Sequence, residues 1–353
     1  MIFTSEQVSC GHPDKICDQI SDALVTELLQ IDKNSRIALE TMIKDYDIYV
    51  IGEVTTNADF CEDFVIRQIN KVLSKIGFKD SIISNYKLHL NVSSQSPDIA
   101  MGVNIGGAGD QGMMFGYATD ETPEMLPIPF AVATYALELL RKSNNPKLCA
   151  DAKSQVSYDY DTNRITTFLI STQHKEEFEV KDFYDDVVSV MKESAKHYGL
   201  NTDFKVLVNP TGRFVIGSSF GDSGLTGRKI IADTYGGMCH HGGGAFSGKD
   251  PSKVDRSGAY MARKVAKDIV KNGMCDRCEI QVAYAIGVSQ PVSLNVETFG
   301  TEKIDKSKIQ KFAESYDWTP NGIINFLHLK YVDYNIVSSY GHFGNKDVPW
   351  EMK

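Results

Sequence analysis

The chain has 353 residues, 42% of them hydrophobic and 24% charged; it is too long for one ordinary core, and two or three globular domains are expected. Lys and Arg number 37 against 46 Asp and Glu, a net charge of −9, which argues against a general affinity for nucleic acid or an anionic membrane surface. An anion site must therefore come from local clustering of cations.

The opening MIFTSEQVSCGHPDK has neither the basic region nor the apolar run of a signal peptide, and no apolar stretch of about 18 residues predicts a membrane span. Pro13 to about Leu29 reads as a helix, with Ile16, Ile20, Leu24 and Leu28 on one stripe and Pro13 at the first position, where its missing N–H costs nothing. Strands follow at 36–42 and 48–55, then a helix at 59–76 ended by Gly77, then a strand at 87–92. Residues 95–112 carry Pro and several Gly without any period, the mark of a functional loop. A helix at 129–142, strands at 154–160 and 164–172, and a helix at 182–198 come next. FKVLVNPTGRFVIGSS reads as two strands around a Pro-Thr-Gly turn. The last third holds an apolar strand at Ile230-Ile231, a helix at 251–271 closed by Asn272-Gly273, strands at 279–288 and 292–298, and further helices. Each third thus mixes strands and helices. YVIGEVTT, FLISTQH and VAYAIGV are expected to occupy equivalent central strands. The seven scattered cysteines suit reduced thiols in the cytoplasm, and the lone pair Cys275-x-x-Cys278 reads as ordinary thiols rather than a zinc site.

Several stretches carry chemistry. Cys10-Gly-His-Pro-Asp-Lys15 stands at a helix N-terminus, where unpaired N–H groups and the dipole welcome anions. Its bland alternative is a capped helix with Asp14, Asp18 and Asp22 forming a solvated acidic face. The glycine-rich turn that contains Asp222 is followed by the adjacent cations Arg228 and Lys229, and such a pair suits phosphate. GGGAFSGKD at 242–250 begins like a P-loop, with Gly243, Gly248 and Lys249, but Asp250 stands where a Ser or Thr should reach the metal, and no core strand precedes it. Lys249, Lys253 in the first turn of the next helix, and Asp255 suit a polyphosphate with its metal ion. Asp151-Ala-Lys153 and Arg213-Phe214 are weak alone.

Taken together, GHPDK, GAGDQG, DAKSQV, NPTGRFVIG, GLTGRKII and GGGAFSGKDPSKVDRS, in this order, closely resemble the S-adenosylmethionine synthetase family from Phe3 to about Trp350. The resemblance implies a mixed α/β fold of three similar domains around a pseudo-threefold axis: 1–97, a mobile active-site loop at 98–109, 110–220 and 221–353, with boundaries free to interleave. It implies a cytoplasmic transferase of one-carbon metabolism that joins ATP and L-methionine, then cleaves the triphosphate. Active sites are expected between the subunits of a homodimer, with dimers pairing into a homotetramer. His12, Lys153, Arg228, Lys229, Lys249 and Lys253 would be catalytic. All of these but Lys253 would contact ATP, joined there by Asp151, Arg213, Phe214, Asp222 and Ala245. Methionine would meet Glu53, Gln95, Asp110, Asp222 and Lys253. Two Mg²⁺ ions would rest on Asp14 and Asp255, and K⁺ on Glu40. The rival readings are a phosphotransferase and a non-catalytic relative; the intact set of charged residues argues against the second. Cys10, Cys17 and Gly258 depart from the family's pattern, where Glu, Ala and Ala are usual, and the loop before GAGDQG is short.

Overall fold

A computed structural model describes residues 1–95 and 106–352. In chain order the main elements are β1 (Ile2–Val8), α1 (Pro13–Ile31), β2 (Arg36–Lys44), β3 (Asp47–Thr55), α2 (Glu62–Ile76), β4 (Lys87–Ser93), β5 (Gly112–Thr119) and α3 (Ile128–Lys142). Then come β6 (Leu148–Asp159), β7 (Arg164–His174), α4 (Tyr184–His197), β8 (Lys205–Val208), β9 (Gly224–Leu225), α5 (Val254–Lys271), β10 (Arg277–Tyr284), β11 (Ser293–Glu297), α6 (Lys306–Glu314) and α7 (Pro320–Phe326).

The strands form three sheets ordered β4-β3-β2-β9, β1-β6-β7-β8 and β11-β10-β5. The first two share one plan: an antiparallel hairpin, a crossover helix, and a strand returning parallel to the hairpin's second arm. Each sheet takes an edge strand from another third of the chain. The first third lends β1 to the second sheet, the middle third lends β5 to the third, and the last third lends β9 to the first. This cyclic exchange realises three similar domains that cannot part without breaking a sheet. The expected central strands are interior in every case. VAYAIGV, however, is the first arm of its hairpin rather than the second, and it is interior because β5 flanks it.

The amphipathic faces close two cores. One joins α1, α2 and α5 to the first and third sheets; the other lies between α3, α4 and the second sheet. Among the described residues no helix is long and apolar enough to cross a membrane. Gly258, on α5, faces Met114 and Tyr284, and an added methyl would meet both at 3.4 Å, ordinary contact. Gly258→Ala is therefore expected to stabilise the fold by about 1 kcal/mol, because Ala loses less backbone freedom in a helix; a lower melting temperature would contradict this.

Several elements differ from the sequence reading, and strand β5, Gly112–Thr119, has no counterpart in it. NPTGRFVIG forms no second strand: Asn209 turns with φ +40°, and Phe214 instead exchanges hydrogen bonds with His174 at the end of β7. Ile230–Asp233 is a single helical turn, not a strand. The helix expected from Pro251 begins at Val254 with Lys253 as its N-cap, because residues 250–253 turn on the Asp250 carboxylate first. Strand β1 has no apolar alternation to reveal it, since its buried Ser5 and Gln7 bond the carbonyls of Gly236 and Ala232.

Candidate active site

Helix α1 organises the site. Its stripe of Asp14, Asp18 and Asp22 is buried, not solvated. Asp14 accepts the Leu225 N–H at 2.9 Å and the Lys229 ammonium at 2.5 Å. Asp18 accepts the Gly227 N–H at 2.8 Å and lies 3.0 Å from Lys15 Nζ. Asp22 accepts the Gly248 N–H at 3.0 Å, and both its oxygens accept from Arg256 Nη2 at 2.7 Å. The three carboxylates thus stitch two glycine-rich loops along one helix, a turn apart each. Asp18, Asp22 and Arg256 are thereby structural partners that the motifs do not announce; the helix also buries Lys15, Gln19, Ser21 and Thr26, so its pattern gives no sign that the acidic stripe is covered.

At the N-terminus of α1, His12 caps the helix with extended backbone, and its Nδ1 accepts the Asp14 N–H at 3.2 Å. A nitrogen that accepts from an amide is bare, so the neutral ring carries its proton on Nε2. Burial, then the nearby Lys229 and Lys153 charges, push its pKa down to about 3. His12 is therefore a neutral donor. Gly11 is required just before it, because a Cβ there would overlap the Ala150 backbone.

Asp151 and Lys153 sit two residues apart on β6 and share one face. Asp151 Oδ2 accepts the Ser218 N–H at 2.7 Å, whereas Oδ1 is buried without a partner among the described residues. Burial raises its pKa to about 6. The folded protein therefore holds this proton between about pH 4 and 6, where the unfolded chain has lost it; that stability is complete below pH 4 and gone above pH 6. Asn lacks this dependence and can keep the Ser218 bond. Asp151→Asn is expected to out-melt the native chain at pH 8, by at most about 3 kcal/mol, with the gap closing toward pH 4. A pH-independent gap would refute the assignment. Phe214 is half-buried beside His174, and Arg213 pairs with Glu176 on the exposed side at 3.1 Å. Asp222 is exposed at the end of the turn that follows Ser218, and Arg228 lies 3.9 Å from Asp14.

The second cluster lies at the N-terminus of α5. Residues 248–250 run along β2 like an added strand, with Lys249 opposite Ala38. Gly248 adopts φ +84° there, and a Cβ would overlap the Leu39 carbonyl. No strand leads into this loop and no helix leaves it directly, so the P-loop likeness ends at spacing. Lys249 Nζ bonds Asp255 at 2.6 Å and Lys253 Nζ bonds Asp250 at 2.8 Å. A cavity of about 220 Å³ opens between this loop and the first sheet, lined by Glu53, Gln95, Asp110, Lys249, Lys253 and Asp255 among others. None of His12, Asp14, Asp151, Lys153, Asp222, Arg228 and Lys229 lines it. Ala245 is half-buried against Gly227, where the two loops touch. Glu40 stands apart, exposed on the outer face of β2 opposite Ile51. Of the loop expected at 98–109, residues 98–105 lie outside the described residues; Gly109 and Asp110 belong to the cavity wall.

Carboxylates that could hold a metal are single: no cluster of three or more His, Cys, Asp or Glu suited to an ion occurs among the described residues. Such a donor set fits Mg²⁺, which keeps water and phosphate oxygens and needs only one or two protein carboxylates.

Comparison with known proteins agrees along the whole chain. Models of the S-adenosylmethionine synthetase N-terminal, central and C-terminal domains match residues 1–97, 105–214 and 216–352. The S-adenosylmethionine synthase of Mycoplasma mycoides subsp. mycoides is 48% identical, over 99% of this chain and 94% of its own. That of Mycobacterium leprae is 46% identical, over 99% and 96%. The solved structure of an unusual S-adenosylmethionine synthetase from Campylobacter jejuni superposes with TM-score 0.94 at 35% identity, covering 99% of this chain and 96% of that one.

Proposed function

The chain belongs to the S-adenosylmethionine synthetase family and is a methionine adenosyltransferase; from that premise we propose how its residues divide the work. The methionine sulfur attacks C5′ of ATP, the C5′–O bond breaks, and the triphosphate leaves with the electron pair. A thioether has no proton to lose, so no general base is needed. Catalysis rests on alignment and on stabilising charge at the departing oxygens. His12, neutral and with its Nε2 proton free, donates toward the leaving oxygen. Lys153, Arg228, Lys229 and Lys249 surround the triphosphate, with Asp151, Asp222 and Ala245 lining the nucleotide and Arg213-Phe214 at the adenine. Glu53, Gln95, Asp110, Asp222 and Lys253 receive methionine.

The family works with a divalent cation. Asp14 and Asp255 would each hold one Mg²⁺, releasing the lysine now bound to each, and when bound these ions neutralise triphosphate charge and assist its cleavage. Glu40 would hold K⁺. The free cysteines suit a reducing cytoplasm.

The observation that carries this reading is the division of the expected site residues into two clusters. Asp14 and Asp22, the anchors of the two loops, are eight residues apart on α1, about 12 Å along the helix. The face of the first sheet that bears Glu40 and Glu53 also exposes Met42, Tyr49 and Ile51, an apolar surface fit for a second copy. In a twofold dimer the α1 cluster of one subunit can meet the α5 cluster of its partner, giving two shared sites. Pairing of dimers into a tetramer follows from the resemblance alone. The deciding experiment is incubation with ATP, L-methionine, Mg²⁺ and K⁺: S-adenosylmethionine should appear with equal amounts of pyrophosphate and phosphate. Transfer of one phosphoryl group to an acceptor without a sulfonium product would sink the reading.

A further inference from the structure

Five buried side chains surround the loop that carries Lys249: Asp22, Ser247, Arg256, Tyr260 and His342. Arg256 has only donors; its Nη2 gives to both Asp22 oxygens, and its Nε gives to the Tyr260 hydroxyl oxygen at 3.1 Å. Tyr260 therefore turns its own proton to His342 Nδ1, 2.7 Å away. An imidazole that accepts at Nδ1 carries its proton on Nε2 when neutral. That Nε2 lies 3.4 Å from Ser247 Oγ, and the Ser247 proton goes to Asp22 Oδ2 at 3.0 Å. The bonds run one way from Arg256 through Tyr260, His342 and Ser247 to Asp22, and the Arg256–Asp22 pair closes the ring. Burial, helped by the Arg256 and Lys15 charges, holds His342 far below its ordinary pKa, in the neutral form the ring requires.

The ring grips the backbone at two points flanking the Gly248–Lys249 peptide. Asp22 takes the Gly248 N–H, and Arg256 Nη1 gives to the Lys249 carbonyl at 2.8 Å. From the C-terminal side, Trp350 stacks on Tyr260 with ring centroids 3.7 Å apart and donates to the His342 carbonyl at 2.8 Å.

We infer that Ser247, Tyr260 and His342, together with the Asp22–Arg256 pair, are positioning residues for Lys249, their closed ring, donated throughout from Arg256 and accepted at Asp22, holding the loop so that the ammonium meets the triphosphate. The inference rests on the reading of Lys249 as a triphosphate ligand. A buried network is worth most when every member is satisfied; without the Ser247 hydroxyl the His342 Nε2–H loses its partner and Asp22 Oδ2 is left with Arg256 alone.

Ser247→Ala in the full-length enzyme tests it. Single-turnover sulfonium formation should slow by about 10- to 100-fold, the scale of a small misplacement of a catalytic group, with KM for both substrates and the circular dichroism nearly unchanged. Ser247→Thr, which keeps the hydroxyl, should restore most of the rate, and His342→Gln, which strands the Tyr260 proton, should repeat the defect. In a Lys249→Met background, Ser247→Ala should add nothing, because the residue being positioned is gone. Native rates in both Ser247→Ala and His342→Gln would overturn the inference, as would an undiminished Ser247→Ala effect in the Lys249→Met background. A fast Lys249→Met enzyme would instead remove the premise.

Discussion

Lys249→Met is expected to slow sulfonium formation by roughly 10²- to 10³-fold, the range found when one preorganised donor to a developing charge is lost, while the fold persists. The side chain is partly exposed, and so is its ion-pair partner Asp255; such a pair adds little to stability. The loop keeps its place through backbone bonds to β2 and through Asp22, none of which uses the ammonium. The loss should fall on kcat more than on KM, because charge on the departing triphosphate grows as the C5′–O bond breaks. Met matches the length of the lysine stem, so packing changes little. A near-native rate would remove Lys249 from the triphosphate.

Mixing two inactive variants should restore activity. His12→Ala removes the donor of the α1 cluster and Lys249→Met the cation of the α5 cluster. If each site is built from one cluster of each subunit, a mixed dimer carries both defects in one site and none in the other. Random reassociation makes half the dimers mixed, so about a quarter of native activity should return. The restored fraction should vanish when the variants are kept apart, and a chain bearing both substitutions should not be rescued at all by either single variant, because every site of such a mixed dimer keeps at least one defect. No recovery after verified subunit exchange would mean that each site draws His12 and Lys249 from one chain. The prediction stems from geometry: the cavity beside Lys249 contains Glu53, Gln95, Asp110, Lys253 and Asp255, and none of the residues around His12.

Local chemistry was open to reading from the chain alone. Pro13 marks the start of α1, Gly77 ends α2 with φ +105°, and Asn272-Gly273 closes α5, because such residues act within a turn of where they stand. The cations Arg228, Lys229, Lys249 and Lys253 announced an anion site by type and spacing, and the family likeness of six ordered motifs supplied the reaction. Long-range pairing was not open in the same way. Whether Asp14, Asp18 and Asp22 face water or two distant loops depends on segments more than 200 residues away, and a helical period is the same in either case. Strand β1 is hidden because its buried positions are polar and satisfied by carbonyls of the last third of the chain. The proton position on His342, and with it the ring around Lys249, exists only once five separate side chains have been brought into contact. Short-range preferences are written residue by residue, whereas burial and hydrogen-bond partnership belong to pairs of segments, and folding alone selects the pairs.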